Sequence, residues 1–600
     1  MKGGGRRRAS PAAVPEPEAL VTRVVTDVAG VDKEFDYLVP AGVAAAVRVG
    51  TQVRIELNGR RVGGWVVAVG VEPPTGLALR PLEKVRGWGP EPELVDLAGW
   101  AAWRWAGRRR TFLSTASAPT AVPVLPNPSW RPPAAPAGLG ATADLLAPFP
   151  LDRPVTLRLA PAADVTPVVA ELAQRGPILV IVPSVNRGST LATRLRRAGG
   201  DVAVVPEDWA QARAGTAVVI GARAAAWAPC PGLTTVIVVD GHDEALGEQQ
   251  QAPTWNAVAV AGERARRAGV PCVVVSPCPT LDLLAAGPVR LTDRGTERQG
   301  WAALEVVDRR QDDPRLGLYS DRLVSRIRAE PRVVCVLNRT GRARLLACAS
   351  CGELVRCERC GSALIQQPEG DTPRPLVCPQ CTLVRPQVCA ECGSTRLRLL
   401  RVGVTRVSEE LEALVGRPVG EVTSATVSWP DTSVLVGTEA VLHRLTPADH
   451  FGAVAFIDFD QELLAPRIRA AEEALALLAH ASRLAGGRAG KVLVQTRIPD
   501  HPVLKAALSA DPGILSAGEL PIRQTLRLPP VTAVAVVSGP AAAPYLDGLA
   551  ALPDSPVEIL GPDRDRWLVK ATDAAVLADA LAAVPRPAGR LRVAVDPARL

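Results

Sequence analysis

The chain has 600 residues, 47% of them apolar, with 69 Lys and Arg against 61 Asp and Glu. Because a single hydrophobic core rarely grows beyond about 250–300 residues, we expect several domains. No run of about 18 uncharged apolar residues occurs, which argues against a membrane-spanning helix. The formal net charge of +8 is compatible with nucleic-acid binding but does not establish it.

Lysine is rare in this chain. It supplies six of the 69 basic residues, and none lies between Lys84 and Lys491. The high Ala, Gly and Pro content points to a GC-rich genome as the cause. Whatever the cause, any reaction that needs a compact ammonium group is excluded from the segment between those two lysines.

The first 150 residues divide into three segments. Residues 1–19 are basic but lack the apolar core of a signal peptide, so we interpret them as a disordered basic arm of a cytoplasmic protein. Alternating apolar residues in Leu20–Val25 and Gln52–Leu57, and in 63–69 after the turn at Asn58-Gly59, predict a β-rich domain over 20–118. Residues 119–150 are rich in Pro and Ala and are predicted to be a linker without a packed core.

Short apolar runs rich in Val and Ile recur from residue 151 to 511. Such runs are typical of buried strands in a parallel sheet that is covered by helices on both faces. We therefore predict two parallel α/β lobes, over 151–300 and 301–511, followed by a small α+β domain over 512–600. The runs are Ile178–Val182, Val202–Val205, Ala217–Ile220, Val236–Val239 and Cys272–Val275 in the first lobe, and Val333–Leu337, Ser433–Val436, Ala453–Ile457 and Val492–Val494 in the second.

Eight of the twelve cysteines lie close together in the second lobe. They form four C-x-x-C pairs, Cys348/Cys351, Cys357/Cys360, Cys378/Cys381 and Cys389/Cys392. Without a secretory signal this pattern favours metal over disulfides. Each pair fits a zinc knuckle, so eight thiolates predict two closed, structural Cys₄ sites and two Zn²⁺ ions per chain. Gly352, Gly361 and Gly393 each follow a pair, where the turn favours a positive φ.

Spacing alone leaves the pairing of these cysteines open. A nested arrangement places Cys348, Cys351, Cys389 and Cys392 on one ion and Cys357, Cys360, Cys378 and Cys381 on the other. The seventeen residues between the inner pairs suit a zinc-ribbon hairpin, which favours nesting weakly. A sequential arrangement, first pair with second and third with fourth, is the alternative. The remaining cysteines, at positions 230, 272, 278 and 335, are predicted to be small buried hydrophobic residues.

Two parallel α/β lobes in one chain are typical of helicase-type ATPases, which bind ATP between the lobes. A P-loop needs glycines, a Lys and a Ser or Thr, and a second strand must end in acidic residues that hold Mg²⁺. Here Leu159–Thr166 has neither glycine nor lysine, and Asp240 is followed by Gly241, His242 and Asp243. We predict that Asp240 is a strand-end residue rather than a magnesium ligand, and that His242 is a loop residue rather than a base.

Several segments together resemble primosomal protein N′, the PriA family of replication-restart helicases. They are Glu34–Pro40, Leu337–Ala343 leading into the four cysteine pairs, Gly403–Leu411, Leu526–Pro530 and Val593–Pro597. The resemblance covers nearly the whole chain and is to a divergent, actinobacterial-like member. It implies a 3′-end DNA-binding domain over 20–118, helicase-like lobes and a zinc-binding insertion over 345–398 of the second lobe.

The departures from the family pattern concern the ATPase motifs. The P-loop corresponds to Leu159–Thr166, where Val165 replaces the lysine and only Thr166 is kept, and the acidic box corresponds to 240–243. The arginines of the last motif fall on Leu484 and Gly487. Their joint loss predicts that ATP hydrolysis has gone, although the family itself consists of ATP-dependent helicases. The family's winged-helix domain is also missing, replaced by the Pro/Ala linker.

The family's DNA-end pocket is better preserved. Phe35, Asp36 and Tyr37 match it residue by residue. An aromatic ring can stack on a terminal base, and an acid can accept a hydrogen bond from the sugar hydroxyl. The pocket lysine of the family falls near Lys84, in an uncertain register.

The predicted function is replication restart. We expect a monomer that binds branched DNA, stalled forks and 3′ ends, recruits other primosome and replication proteins, and is cytoplasmic and nucleoid-associated, without membrane contact. Arginine would supply the phosphate contacts. One alternative is a retained ATP-dependent 3′-to-5′ helicase. The other is a zinc-dependent interaction scaffold that does not bind DNA.

Overall fold

A computed structural model describes residues 20–597 with internal gaps. The gaps are 32, 74, 75, 77, 136–143, 248–250, 313–317, 338–345, 360, 362, 367–374, 379, 380, 382, 400–403, 423–425, 427, 555 and 564, and the side chains of 404–406 and 448 are also left undescribed. The predicted basic arm and the cysteine at 360 lie outside the described residues. The chain forms two compact units, the first reaching Gly99 and including Arg108–Leu125, the second comprising Trp100–Gly107 and everything from Pro126 onwards.

The first unit contains an antiparallel sheet, as its alternating sequence predicts. Its described strands have the order β2-β1-β4-β3-β5. They are β1 (Val21–Thr26), β2 (Glu34–Leu38), β3 (Gln52–Leu57), β4 (Arg60–Val69) and β5 (Lys84–Gly87), followed by helices α1 (Pro92–Arg104) and α2 (Arg109–Ala116). The two sheet edges meet, because the Leu38 N–H donates to Arg80 O and the Leu82 N–H donates to Leu38 O, both at 2.9 Å. Val24, Val53 and Val66 are buried inside this closed sheet.

The first lobe of the second unit is a parallel sheet, as predicted. Its described strands have the order β12-β6-β11-β10-β7-β9-β8. They are β6 (Val155–Arg158), β7 (Ile178–Ile181), β8 (Val202–Val205), β9 (Val218–Gly221), β10 (Thr235–Val239), β11 (Cys272–Val275) and β12 (Val289–Leu291). The helices are α3 (Thr166–Ala173), α4 (Val185–Arg197), α5 (Trp209–Ala214), α6 (Ala257–Ala268), α7 (Leu281–Ala286) and α8 (Arg294–Gly300).

The second lobe is again a parallel sheet. Its described strands have the order β13-β23-β22-β14-β21-β20. They are β13 (Ala303–Asp308), β14 (Val333–Val336), β20 (Val419–Val422), β21 (Val434–Gly437), β22 (Ala453–Phe456) and β23 (Lys491–Thr496). The helices are α9 (Asp321–Ala329), α10 (Val404–Val415), α11 (Ala440–Arg444), α12 (Asp460–Leu463), α13 (Ala470–Leu484), α14 (Pro502–Leu508) and α15 (Gly513–Leu526). The cysteine insertion follows β14. The apolar runs predict β14 as the first strand of the lobe, but β13 precedes it and carries charged residues among its apolar ones.

The insertion and the C-terminal domain are small antiparallel structures. In the insertion β15 (Leu346–Cys348) pairs with β19 (Leu397–Leu399), and β16 (Ile365–Gln366), β17 (Leu376–Val377) and β18 (Val384–Arg385) form a second sheet. The C-terminal strands have the order β25-β26-β24-β27. These elements are β24 (Ala533–Ser538), α16 (Ala542–Ala550), β25 (Val557–Asp563), β26 (Arg566–Ala571), α17 (Ala574–Ala583) and β27 (Arg592–Val595).

The end of the proline-rich segment is not a free linker. Leu145 and Leu146 are buried in the core of the first lobe, against the partly buried Phe149. Ala134 N–H donates to Ala198 O at 2.8 Å, so the segment also lies along this lobe before it reaches the core. The prediction that 119–150 packs no core was therefore wrong at this end, because two leucines among many prolines suffice to anchor a chain. Among the described residues, no helix is both long and apolar enough to cross a bilayer.

Candidate functional site

The outer cysteine pairs lie together in the structure. The ligand sulfurs of Cys348, Cys351, Cys389 and Cys392 are all within 4.8 Å of one another. Cys348 Sγ is 3.5 Å from Cys392 Sγ, and Cys351 Sγ is 3.5 Å from Cys389 Sγ. The pairing of β15 with β19 brings the two ends of the insertion together, with Cys348 opposite Leu397.

The inner cysteines form a second cluster, brought together by the β16–β17 hairpin. Cys357, Cys378 and Cys381 lie within 4.8 Å of one another, with 3.4 Å between the sulfurs of Cys357 and Cys381. Their predicted fourth partner, Cys360, is not among the described residues. The described cysteines thus group as outer with outer and inner with inner, the nested rather than the sequential arrangement.

The local backbone of both clusters suits thiolate ligands. Gly352, Gly361 and Gly393 have φ values of 78°, 73° and 68°, as predicted for the turn after a C-x-x-C pair. Burial raises the pKa of the thiols in the outer cluster; at Cys348, hydrogen bonds from the backbone N–H groups of Cys351 and Ser350 outweigh burial and lower the pKa to about 6, whereas the pKa of Cys351 rises to about 12. A tetrahedral zinc ion with Zn–S bonds of about 2.3 Å holds its sulfurs roughly 3.8 Å apart, close to the spacings seen here. Both clusters could therefore hold a metal ion.

The scattered cysteines are different. Cys230, Cys272, Cys278 and Cys335 are all buried. Burial raises the pKa of Cys272 and Cys335 to about 12, so these thiols stay protonated at neutral pH. The prediction that they act as small hydrophobic residues is confirmed.

The predicted DNA-end residues of β2 do not all face the same way. Tyr37 is buried in the core and its hydroxyl donates to Glu56 O at 2.9 Å. Phe35, two residues away on the same side, is partly buried against the same core. Asp36 lies on the other side, where it accepts two hydrogen bonds from Arg23, from Nε at 2.8 Å and Nη2 at 3.2 Å. Tyr37 therefore has a structural role, and Asp36 already has a cationic partner.

Lys84 is the first residue of β5 and is exposed. β5 is the edge strand opposite to β2 in the strand order, but the closure at Leu38 and Pro81 joins these edges. In the strand order alone, three strands lie between β5, which carries Lys84, and β2, which carries Asp36. Arg23, which pairs with Asp36 directly across the strands, was missed by the sequence analysis; its opposite charge on the preceding strand is the signal that could have identified it.

The segment that corresponds to a P-loop contributes a side chain to the core of the first lobe. Val165 is 5% exposed and lies in the core of the first lobe. Asp164 Oδ1 accepts from the N–H and the hydroxyl of Thr166, at 3.0 and 2.7 Å. The N-terminus of α3, where a P-loop protein binds phosphate, is thus occupied by a carboxylate from the same chain. Arg194 holds that carboxylate at 3.1 Å.

Asp240, at the end of β10, forms an ion pair with an arginine of the second lobe. Arg483 donates to it through Nη1 at 2.9 Å and Nη2 at 2.5 Å, and Arg187 Nε lies 3.5 Å away. Asp240 is buried, which opposes ionisation, but the charges of Arg483 and Arg187 lower its pKa well below the usual range. The carboxylate that would bind magnesium in a helicase is therefore neutralised by guanidinium groups. Arg483 stands one residue before the aligned position Leu484, a shift that hid its role in the sequence.

The two lobes are packed closely where a nucleotide would lie. Arg483 Nε of the second lobe donates to Pro161 O of the first at 2.9 Å. A Cβ at Gly487 would come within 2.6 Å of Gln299 O and 3.1 Å of Ala162 Cβ. The absent side chain at 487 thus permits this contact, and an arginine at that position would not fit. His242 is half-buried, with Nδ1 3.1 Å from Ser276 Oγ, and desolvation lowers its pKa to about 4.

Comparison with known proteins places these features in a family. A family model described as a 3′ DNA-binding domain (3′BD) of PriA matches residues 23–117. A probable replication restart protein PriA of Mycobacterium leprae is 30% identical over 604 residues, covering 88% of this chain and 89% of that protein. The replication restart protein PriA of Thermotoga maritima is 27% identical over 393 residues, covering 60% of this chain and 52% of that protein.

The extent of these matches differs between relatives. The matched part of the chain spans about half the length of the Thermotoga, Synechocystis and Bacillus subtilis relatives, at 52%, 48% and 50%. A solved structure of S. cerevisiae Dbp5 bound to RNA and ADP BeF3 aligns at a TM-score of 0.36 and 9% identity, over 65% of this chain and 96% of that chain. This similarity is too weak to establish a shared fold, so the fold assignment is based on the strand orders given above. With a relative at 30% identity over most of both chains and a PriA domain model on its first unit, the chain belongs to the replication restart protein PriA family.

Proposed function

We propose that this protein acts in replication restart by binding branched DNA and recruiting further replication proteins, without ATP-dependent unwinding. The main support for the absence of ATP-dependent unwinding is the ion pair between Asp240 and Arg483. A magnesium–nucleotide complex would have to displace the Arg483 guanidinium, 16% exposed, from a buried carboxylate, and such pairs are costly to separate. Asp164 and Val165 also disfavour nucleotide binding, because neither can supply the cation that a nucleotide phosphate needs.

The DNA half of the proposal rests on the first unit. The family model for a 3′ DNA-binding domain covers most of it. Asp36 and the exposed Lys84 are polar groups that can contact a DNA end, whereas Phe35 is half-buried and offers less surface for stacking. The two cysteine clusters would each hold one structural zinc ion, with Cys360 completing the inner site, and the insertion would provide the surface for protein partners.

The first test concerns ATP. We expect the full-length protein to release phosphate no faster with forked DNA than without it, and the Thr166→Val variant to behave the same. Thr166 is the matched control because it is the one P-loop residue that the chain retains. Phosphate release that is stimulated by forks and lost in Thr166→Val would contradict the proposal and favour the retained helicase.

The second test concerns the DNA end. Asp36→Asn should weaken binding to a fork with a free 3′-OH by at least about tenfold, because a hydrogen bond to a charged group contributes roughly 1.5–3 kcal/mol. It should leave a fork with a blocked 3′ end unaffected. Fluorescence anisotropy at several salt concentrations would measure both and report the number of phosphate contacts from the salt dependence.

Two control variants separate recognition from folding in this test. Arg23→Gln breaks the same ion pair but keeps the Asp36 carboxylate, so it should not weaken 3′-OH recognition. Tyr37→Phe removes only the hydrogen bond to Glu56 O and should bind normally. If Arg23→Gln is as defective as Asp36→Asn, the carboxylate serves the fold rather than the DNA. If the wild type binds no fork at all, the scaffold alternative is favoured.

A further inference from the structure

Three charged or metal-ligating side chains converge at one point between the two lobes. The chain has five histidines, and two of them, His443 on α11 and His480 on α13, lie beside Asp243 from the loop after β10. One ligand atom from each residue lies within 4.8 Å of the other two. Neither the cysteine clusters nor the Asp240–Arg483 ion pair includes any of these residues.

The distances match those between ligands of one tetrahedral ion. Asp243 Oδ2 is 3.4 Å from His480 Nε2 and 3.8 Å from His443 Nδ1. Two ligands bound to zinc at about 2.0–2.1 Å in a tetrahedron are roughly 3.4 Å apart. Small side-chain adjustments at His443, which is 36% exposed, would complete the geometry.

The Asp243 carboxylate is held in an orientation that suits a bound cation. Asp243 Oδ1 accepts the Ala245 N–H at 2.9 Å, which fixes the carboxylate and directs Oδ2 toward the imidazoles. Asp243 Oδ2 is buried, and the imidazoles of His480 and His443 are its neighbours among the described residues, without a well-aligned hydrogen bond. A buried carboxylate oxygen in such surroundings is unfavourable unless a cation lies between it and the imidazoles or an imidazole carries a proton toward it.

We propose that Asp243, His443 and His480 bind a divalent ion of the zinc class and thereby link the two lobes. Two imidazoles and one carboxylate are ligands that suit zinc and its neighbours, and three protein ligands leave one coordination position open. Asp243 lines an open cavity of about 560 Å³, and His443 is 36% exposed, so two of the three ligands can be reached from solvent. This proposal does not depend on DNA binding or on the absence of ATP hydrolysis.

The test uses the full-length protein with its cysteine-bound metal retained. Zn²⁺ is titrated by calorimetry and Co²⁺ by visible absorption, after dialysis against a weak chelator. We expect one additional equivalent, with cobalt absorption that lacks the thiolate charge-transfer band of cysteine sites. His443→Gln and Asp243→Asn should weaken this binding by more than about 100-fold, since even the loss of an outer-shell partner costs about 10–100-fold.

The matched control is His450→Asn, which changes an exposed histidine with φ of 54°, a conformation that asparagine tolerates. It should bind the additional ion like the wild type. Hydrogen exchange should also slow in α11 and in residues 241–246 when Zn²⁺ is added to the wild type. Absence of an additional equivalent in the wild type would overturn the proposal, and so would binding that persists in a folded His443→Gln variant, which would mark adventitious surface binding.

Discussion

Arg483→Ala is expected to lower the free energy of unfolding of the lobes by about 3–5 kcal/mol. The substitution leaves the Asp240 carboxylate, 2% exposed, with Arg187 at 3.5 Å as its remaining cationic partner. Breaking a buried ion pair on one side is costly because the remaining carboxylate stays shielded from water and has only the more distant Arg187 to neutralise it. Hydrogen exchange of the β10 amides measures the effect, because it reports the free energy of opening in that part of the protein.

Two further variants test whether the loss of stability comes from the Asp240–Arg483 ion pair. Arg488→Ala removes an exposed arginine from the next turn and should change stability by less than about 0.5 kcal/mol. The double variant Asp240→Asn/Arg483→Gln replaces both charges with amides and should recover a large part of the loss. If Arg483→Ala is as mild as Arg488→Ala, the ion pair does not hold the lobes together, and a nucleotide could displace it.

The pH dependence gives an independent check on the same pair. Arg483 and Arg187 hold the pKa of Asp240 below its unfolded value of about 3.9, so the ionised carboxylate stabilises the fold at pH values above about 4. This contribution is lost as the pH falls toward the folded pKa. The difference between wild type and Arg483→Ala should therefore be constant from pH 5 to 8 and shrink below about pH 4. A difference that changes near pH 6 would implicate the neighbouring histidines instead.

Removal of zinc is expected to unfold the cysteine insertion and spare the first unit. Structural zinc contributes about 10–16 kcal/mol in small zinc domains, and the short strands β15–β19 offer little core to replace it. Elemental analysis should find two zinc ions in the cysteine clusters. Strong chelation should then raise hydrogen exchange across residues 346–399 while the amides of β1–β4 keep their protection.

Matched cysteine variants test the assignment of these ligands. Cys389→Ser should lose one zinc ion and Cys378→Ser the other, because each belongs to a different cluster. Cys335→Ala alters a buried strand cysteine outside the clusters and should retain both. Fewer than one zinc ion in the wild type after dialysis against a weak chelator, or serine variants that retain as much zinc as the wild type, would contradict two closed cysteine sites.

Much of the fold could be predicted because the relevant signals are local. The strands Val202–Val205 and Cys272–Val275 have the predicted bounds, since a short run of β-branched residues between turn residues marks a buried strand directly. β13 was missed because Glu305 interrupts its apolar residues; as an edge strand it exposes one side, where Glu305 pairs with Arg322 and Arg326. The leucines at 145 and 146 were missed because composition averages over a segment, whereas burial depends on single residues.

By itself, the sequence determined which chemistry is available. The four C-x-x-C pairs, the lysine-free interval and Val165 in place of a P-loop lysine can be recognised without coordinates, because they depend on residue type and short spacing. The tertiary structure alone decided which groups meet. Asp240 and Arg483 are 243 positions apart, and Asp243, His443 and His480 come from both lobes. Such contacts depend on strand order and on how the lobes pack, which no local pattern encodes.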